Sequence, residues 1–204
     1  EELAERRAGH EPSGRLYTRD RPARRDVAVA LLLDASGSTD AWVSQRRRVI
    51  DVAKEAALCF CEALAALGDR LAVYACSGQG AGDVRVQVPK RFADCFGDDV
   101  LARIGALEPD RYTRLGGPLR HATAALWRTG ARVQLLLLLS DGKPNDEDAY
   151  AGEYGIEDVR QAVLEARALG VRPFCITIDR EGPGYLPRLF GPSGYTLVWD
   201  VEEL

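Results

Sequence analysis

The sequence predicts an α/β fold: a doubly wound, mainly parallel sheet of six strands with helices on both faces. Two short runs, VAVALLL (27–33) and VQLLLLL (133–139), are apolar without interruption, as strands buried on both faces are. Amphipathic segments of helical period lie between the predicted strands. Strands that alternate with helices of this length form βαβ units, and these units build an open parallel sheet.

The first 26 residues differ from the rest of the chain. They contain seven arginines and six acidic residues with little apolar periodicity, which is typical of an Arg-rich linker or docking arm. We therefore predict one folded domain over residues 27–204. Because the chain contains no methionine, we expect it to be a fragment of a longer protein.

The remaining elements follow in order along the chain. An amphipathic helix is predicted over 44–67, and Gly68 is placed to end it. Pro118 is placed to open another helix, since its missing N–H costs nothing in a first turn. The other predicted elements are strands 71–77 and 84–88, a short helix near 98–107, a helix over 156–170, and strands 171–179 and 195–199.

Composition excludes several classes of protein. The formal net charge of −4 argues against nucleic-acid binding, because such domains usually present a basic face. No apolar run reaches the length of a membrane span, so no spanning segment is expected. Five cysteines, an odd number without metal-ligand spacing, indicate reduced thiols, and we expect a cytoplasmic protein.

Polar side chains follow both buried strands where each strand ends. Asp34, Ser36 and Ser38 form a D-x-S-x-S motif after the first strand, and Asp141 follows the second. In an open α/β sheet the carboxyl ends of the strands meet at one edge, where ligands bind. Carboxylates and hydroxyls there suit a hard cation such as Mg²⁺ or Mn²⁺.

These residues alone leave three interpretations open. They form a divalent-cation site, or Ser36 and Ser38 merely cap a helix, or Asp34 is the nucleophile of a phosphohydrolase. Phosphohydrolases with such a nucleophile usually carry a second aspartate two residues further on, where this chain has Ser36. A phosphate-binding glycine loop is not a fourth interpretation, because neither common glycine pattern is present.

Taken together, the motifs resemble the von Willebrand factor A domain and its metal-ion-dependent adhesion site. The resemblance adds Thr113 of RYTRLGG and implies a non-enzymatic binding module in which five residues surround one Mg²⁺, or Mn²⁺ or Ca²⁺ in its place: Asp34, Ser36, Ser38, Thr113 and Asp141. It also implies that the hydroxyls contact the ion while the aspartates act largely through water. An acidic side chain of a partner would complete the coordination.

A narrower resemblance rests on STDAWV (38–43), RYTRLGG (111–117) and SDGKPNDEDAY (140–150). These phrases are similar to the carboxy-terminal domain of nitric oxide reductase activation proteins of the NorD type. The CbbO-type adaptors of Rubisco activation share the architecture and are the alternative. The resemblance implies a MoxR-class AAA+ ATPase of the NorQ or CbbQ type as a partner, and nitric oxide reductase, or alternatively Rubisco, as the target.

Five further residues near these motifs are predicted to form a partner-binding rim around the metal site: Lys143, Tyr150, Tyr154, Arg111 and Arg114. Aromatic residues and arginines are enriched in interfaces. The alternative is that the tyrosines pack their loop against the domain and the arginines are simply exposed. The acidic run 146–148 is predicted to be a solvated face.

Overall fold

The computed structural model describes residues 25–148, 150, 152–179 and 181–198. Its strands are β1 (Val27–Asp34), β2 (Trp42–Ser44), β3 (Arg47–Arg48), β4 (Arg70–Gln79), β5 (Asp83–Lys90), β6 (Val133–Ser140), β7 (Arg172–Thr177) and β8 (Tyr195–Leu197). Its α-helices are α1 (Val49–Leu67), α2 (Asp98–Gly105), α3 (Gly116–Trp127), α4 (Glu153–Ala168) and α5 (Leu186–Phe190). Short 3₁₀ turns lie at Gly37–Asp40 and Gly182–Gly184.

The main sheet has six strands in the order β5-β4-β1-β6-β7-β8. Strand β1 lies at the centre and pairs in parallel with both β4 and β6, while β5 is an antiparallel edge strand. Leu31 stands opposite Val73 on one side and Leu137 on the other. This topology confirms the predicted doubly wound, mainly parallel sheet of six strands.

Helices cover both faces of the sheet and create two cores. On one face α3, α4 and α5 pack against side chains such as Leu32, Leu136 and Leu138, all at most 2% exposed. On the other face α1 and α2 pack against Leu31 and Leu33, which are fully buried. Successive residues of β1 therefore serve opposite cores, which is why its sequence has no polar alternation.

The long helix begins later than the sequence predicts, at Val49 instead of residue 44. Residues 42–48 form a small antiparallel hairpin, in which Trp42 pairs with Arg48. The backbone N–H of Val49 donates to the Ala41 carbonyl at 3.0 Å, which closes the hairpin, and Asp51 accepts from the Arg48 N–H at 3.0 Å. The prediction is wrong here because residues 44–48, SQRRR, lie before the first apolar residue of the helical pattern, Val49, and these contacts hold them in the hairpin.

Other boundaries shift by a few residues. Helix α3 begins at Gly116, two residues before Pro118, and α4 begins at Glu153 instead of residue 156. The predicted linker lies outside the described residues except for Arg25 and Asp26. Arg25 pairs with Asp69 and Asp26 pairs with Arg70, each at 2.6 Å, so both residues contact the domain. None of the described helices has the length and apolar character needed to cross a membrane.

Candidate metal centre

Asp34 is the last residue of β1 and lies at the carboxyl edge of the sheet. Its side chain is almost wholly buried, with the residue 2% exposed. One carboxylate oxygen accepts the Ser36 N–H at 3.0 Å, and the other accepts the Ser140 hydroxyl at 2.8 Å. Asp34 is therefore fixed in orientation by the loop that follows β1 and by the last residue of β6.

A chain of hydroxyls connects the other predicted site residues. The Thr113 hydroxyl donates to Ser36 Oγ at 2.8 Å, and Ser36 Oγ lies 3.0 Å from Ser38 Oγ. The Ser38 hydroxyl donates to Asp141 Oδ1 at 3.0 Å. Together with the bond from the Ser36 N–H to Asp34, these contacts bring all five predicted metal residues together at one point.

Backbone hydrogen bonds hold the three loops against one another. The Gly37 N–H donates to the Arg111 carbonyl at 2.8 Å, so the D-x-S-x-S loop rests on the loop that carries Thr113. Thr113 and Asn145 exchange two backbone hydrogen bonds, of 2.9 and 3.0 Å. The loop that carries Asp141 is thereby joined to Thr113, and the site is built from segments that support one another.

The carboxylates of the site lack a cationic partner. Burial, and then the negative charge of Asp141, raise the pKa of Asp34 from 3.8 to about 6, although hydrogen bonds from Ser36 and Ser140 oppose the rise. Burial, followed by the charge of Asp179, raises the pKa of Asp141. Among the described residues, no lysine or arginine forms an ion pair with Asp34 or Asp141. The site therefore has a deficit of positive charge.

This donor set fits a hard divalent cation. Two carboxylates and three hydroxyls supply only oxygen, which is the ligand type that Mg²⁺ and Mn²⁺ prefer. The described residues contain no cluster of three His, Cys, Asp or Glu side chains with metal-binding geometry. A cation here would consequently depend on the hydroxyls of Ser36, Ser38 and Thr113 as well as on the carboxylates.

The five predicted rim residues divide into two groups. Tyr154 is 60% exposed, and the side chains of Lys143 and Arg111 are 47% and 23% exposed. Tyr150 is only 1% exposed, and its hydroxyl donates to Asp158 at 2.6 Å. Arg114 lies over the Tyr150 ring, with its guanidinium carbon 4.1 Å from the ring centroid.

Tyr150 and Arg114 therefore correct the predicted rim. For Tyr150 the structure bears out the alternative that it packs its loop against the domain. The Arg114 side chain is 11% exposed and pairs with Asp146 and Asp148 at 2.9 and 3.0 Å, so it is a buried structural cation. Lys143 and Tyr154 are the rim residues that remain accessible to a partner, whereas Arg111 is partly exposed and pairs with Asp83 and Asp110.

The sequence interpretation missed three residues that shape the site. Ser140 holds Asp34, Asp179 adds negative charge near Asp141, and Asp146 joins the loops through Arg114. The sequence pattern could have indicated Ser140, because it directly precedes Asp141 at the end of a buried strand. No local sequence pattern indicates the roles of Asp179 and Asp146, since these depend on contacts with distant parts of the chain.

Gly116 lies at the start of α3 beneath this site, and its replacement by alanine is expected to cost about 2 kcal/mol of stability. An added Cβ would overlap the Asp158 carboxylate, which binds the Tyr150 hydroxyl and Arg120 Nη1 at 2.7 Å. Gly117→Ala is the matched control, because its Cβ would meet only Val84 at 3.9 Å. Urea unfolding of both variants would contradict this account if Gly116→Ala were as stable as Gly117→Ala.

The fold and the site together define a class of protein. The sequence profile described as the von Willebrand factor type A domain matches residues 29–143, and the chain belongs to that family. Within it, the chain is 48% identical to the protein NorD of Stutzerimonas stutzeri over 98% of this chain and 32% of that protein. It is 51% identical to an uncharacterized protein of Pseudomonas aeruginosa, over 98% of this chain and 33% of that protein.

The chain thus spans about one third of the length of the curated relatives it matches. Among solved structures, a mutant of the PilB minor pilin from Streptococcus sanguinis superposes with a TM-score of 0.67. That alignment covers 91% of this chain and 60% of the pilin, at 15% sequence identity. A likeness at this identity establishes the shared fold and nothing further.

Proposed function

We propose that this domain is a non-enzymatic, metal-dependent protein-binding module. Asp34, Ser36, Ser38, Thr113 and Asp141 would hold one Mg²⁺, or Mn²⁺ or Ca²⁺ in its place. When bound, the ion would supply a positive charge with an open position for an acidic side chain of a target protein. The residues of this chain orient the oxygens and keep the buried Asp34 carboxylate and the partly exposed Asp141 carboxylate close enough to share the ion.

One observation carries the proposal: a chain of three hydroxyls ends on Asp141 and begins beside Asp34, and neither carboxylate has a cationic partner among the described residues. Asp34 is buried at 2% exposure beside the charge of Asp141, an arrangement that raises its pKa. Placing like charges together in a buried site costs free energy unless a cation compensates them. A divalent ion would relieve that cost, and a target carboxylate would then balance the remaining positive charge.

We further propose that the domain belongs to a NorD-type activation protein that works with a MoxR-class AAA+ ATPase in the cytoplasm. The support is the 48% identity with a relative named NorD over nearly the whole chain. That name favours nitric oxide reductase as the target over Rubisco, the target of the CbbO-type alternative. The domain would hold the target while the ATPase acts on it.

A Mg²⁺ titration followed by calorimetry tests the metal site. We expect saturable binding to the wild-type chain, and an affinity for Mg²⁺ at least about tenfold lower in Ser38→Ala, because that change removes one oxygen ligand. Ser193→Ala is the matched control, since Ser193 is an exposed serine that takes no part in the site. Excess EDTA should reverse any stabilisation by Mg²⁺ in thermal unfolding.

Two results would contradict the proposal. Equal Mg²⁺ affinity in Ser38→Ala and Ser193→Ala would show that the Ser38 hydroxyl is not a ligand of the ion. Release of phosphate from an aryl phosphate, lost in Asp34→Asn, would instead support the phosphohydrolase interpretation. Binding of purified nitric oxide reductase or Rubisco to the full-length protein, with Mg²⁺ and then with EDTA, distinguishes the two targets.

A further inference from the structure

The amino edge of the sheet, opposite the candidate metal centre, carries an exposed surface that mixes apolar and basic side chains. Trp127 is 52% exposed at the end of α3, and Leu169 is 48% exposed directly after α4. Three exposed arginines lie at the same edge: Arg128 after α3, Arg132 before β6, and Arg172 at the start of β7. We call these five residues the amino-edge surface.

The fold places the ends of α3 and α4 side by side at this edge, next to the starts of β6 and β7. Helices α3 and α4 both run from the carboxyl edge to the amino edge, and they pack side by side on one face of the sheet. Arg120 of α3 pairs with Asp158 and Glu165 of α4, at 2.7 Å in each case. Arg70 donates to the Thr129 carbonyl at 2.7 Å, which holds the turn between α3 and β6 against β4. The surface therefore rests on rigid elements.

The charge of the amino-edge surface is not neutralised by the described residues. Arg128, Arg132 and Arg172 form no ion pair with any described acidic side chain, whereas most other described arginines do. Among the described carboxylates near this edge, Asp69 binds Arg25 and Asp26 binds Arg70, each at 2.6 Å, and Asp26 also accepts the Arg132 backbone N–H at 3.0 Å. In a chain with a net charge of −4, this edge is locally basic.

An open cavity of about 500 Å³ lies at the same edge, beside β7. Its lining includes the apolar residues Leu135, Pro173 and Phe174 and the basic residues Arg167 and Arg172, of which Arg167 also donates to the Phe190 carbonyl at 2.5 Å. A cavity of this composition fits an apolar side chain that has carboxylates on either side. Exposed tryptophan and arginine are also the residue types that contribute most to the energy of protein interfaces.

We propose that the amino-edge surface binds an acidic segment of a partner protein that carries apolar side chains between its carboxylates. Trp127, Leu169 and the cavity would contact the apolar side chains, and the three arginines would pair with the carboxylates. The eight residues of β1 separate this edge from Asp34 by about 25 Å. The domain could therefore hold this partner and the target of the metal centre at the same time.

The apolar part of the surface distinguishes this partner from a nucleic acid. A phosphate backbone would be recognised by arginines alone and would leave Leu169 and the apolar cavity lining without a contact. An acidic protein segment uses both kinds of side chain. It also avoids the repulsion that a net charge of −4 imposes on a long polyanion.

The test uses the full 204-residue chain and a fluorescein-labelled 16-residue peptide of glutamate and leucine in helical period, followed by fluorescence anisotropy. We expect saturable binding that weakens at least tenfold when Arg128, Arg132 and Arg172 are all replaced by glutamine. Trp127→Ala should weaken it as well. The matched control replaces Arg46 and Arg91, two exposed arginines elsewhere that also lack ion pairs among the described residues, and should bind as the wild type does.

Several outcomes would overturn the proposal. One is equal peptide affinity in the triple arginine variant and in the control variant. Another is equal affinity for a peptide in which serine replaces every leucine, since the apolar contacts would then contribute nothing. A single-stranded oligonucleotide that binds as tightly as the peptide would assign the surface to nucleic acid. If sedimentation shows a dimer, and Trp127→Ala converts it to a monomer, the amino-edge surface binds a second copy of this chain.

The same experiment separates this surface from the metal centre. Asp34→Asn should bind the peptide with wild-type affinity, with or without Mg²⁺, because the two edges share no side chain. Peptide binding that requires Mg²⁺ would overturn the proposal of an independent surface. If calorimetry detects no Mg²⁺ binding while the peptide still binds, only the proposed metal-dependent function is contradicted.

Discussion

Asp34→Asn will raise the thermal unfolding midpoint of the metal-free domain near neutral pH and will abolish its stabilisation by Mg²⁺. The Asp34 carboxylate is 2% exposed and lies near the charge of Asp141, so its ionised form is costly without a cation. Asparagine keeps the shape of the side chain and removes the charge. The same substitution removes a carboxylate that Mg²⁺ would bind, so the stability and the metal response change in opposite directions.

The size of the effect follows from the pKa of Asp34, which burial raises from 3.8 to about 6 in the folded domain. A carboxyl group with a raised pKa binds its proton more tightly in the folded state than in the unfolded state. The metal-free domain should therefore lose stability as the pH rises from about 4 to about 6, by about 3 kcal/mol in total from this group. Asp34→Asn should not show this loss.

The matched control is Glu62→Gln, which neutralises an exposed carboxyl group on α1. It should leave both the unfolding midpoint and the response to Mg²⁺ near those of the wild type. The measurement is thermal unfolding of the three proteins over a range of pH, with EDTA and then with excess Mg²⁺. A metal-free Asp34→Asn domain that unfolds at a lower temperature than the wild type would refute the electrostatic account.

The fold could be predicted from the sequence because its signals are local. Uninterrupted apolar runs identify β1 and β6 as buried strands, and Gly68, with φ of 71°, ends α1 where the sequence predicts. The start of α1 could not be predicted in this way. Residues 44–48, SQRRR, contain no apolar residue that could mark where the helix begins, and a hydrogen bond between Ala41 and Val49 closes the hairpin that they complete.

The candidate site was predicted in part from residues and in part from resemblance. The strand ends alone indicate Asp34, Ser36, Ser38 and Asp141, whereas nothing near Thr113 marks it, and only the family pattern identifies it. Burial of charged groups was not predictable from local sequence. Asp146 lies in an acidic run that indicates a solvated face, yet it is 5% exposed, since it binds the Gly80 N–H and Arg114. These partners are distant in the chain, so no local pattern indicates the burial.

Asp146→Ala will destabilise the domain by about 3 kcal/mol and will weaken Mg²⁺ binding, although Asp146 is not a predicted ligand. Its carboxylate accepts the Gly80 N–H at 2.9 Å, the Glu147 N–H at 2.7 Å and the Arg114 guanidinium at 2.9 Å. Alanine would leave the nearly buried Arg114 without its innermost carboxylate. It would also loosen Asn145, whose backbone holds Thr113 in the site.

The dependence of this effect on pH has the opposite sign from that of Asp34. Burial by itself raises the pKa of Asp146, but hydrogen bonds from the Gly80 N–H and from Arg114 outweigh it and hold the pKa below its usual value. A lowered pKa in the folded state stabilises the fold above about pH 4, and that contribution is lost as the pH falls further. The difference between Asp146→Ala and the wild type should therefore shrink in acid.

Asp148→Ala is the matched control for Asp146→Ala, because both carboxylates pair with Nη1 of Arg114. The Asp148 side chain is 42% exposed whereas that of Asp146 is fully buried, so the loss of Asp148 should cost about 1 kcal/mol or less. Urea unfolding measures both costs, and calorimetry measures Mg²⁺ affinity in the variants that remain folded. Equal losses in the two variants would show that burial of the Arg114–Asp146 pair does not hold the Thr113 and Asp141 loops together.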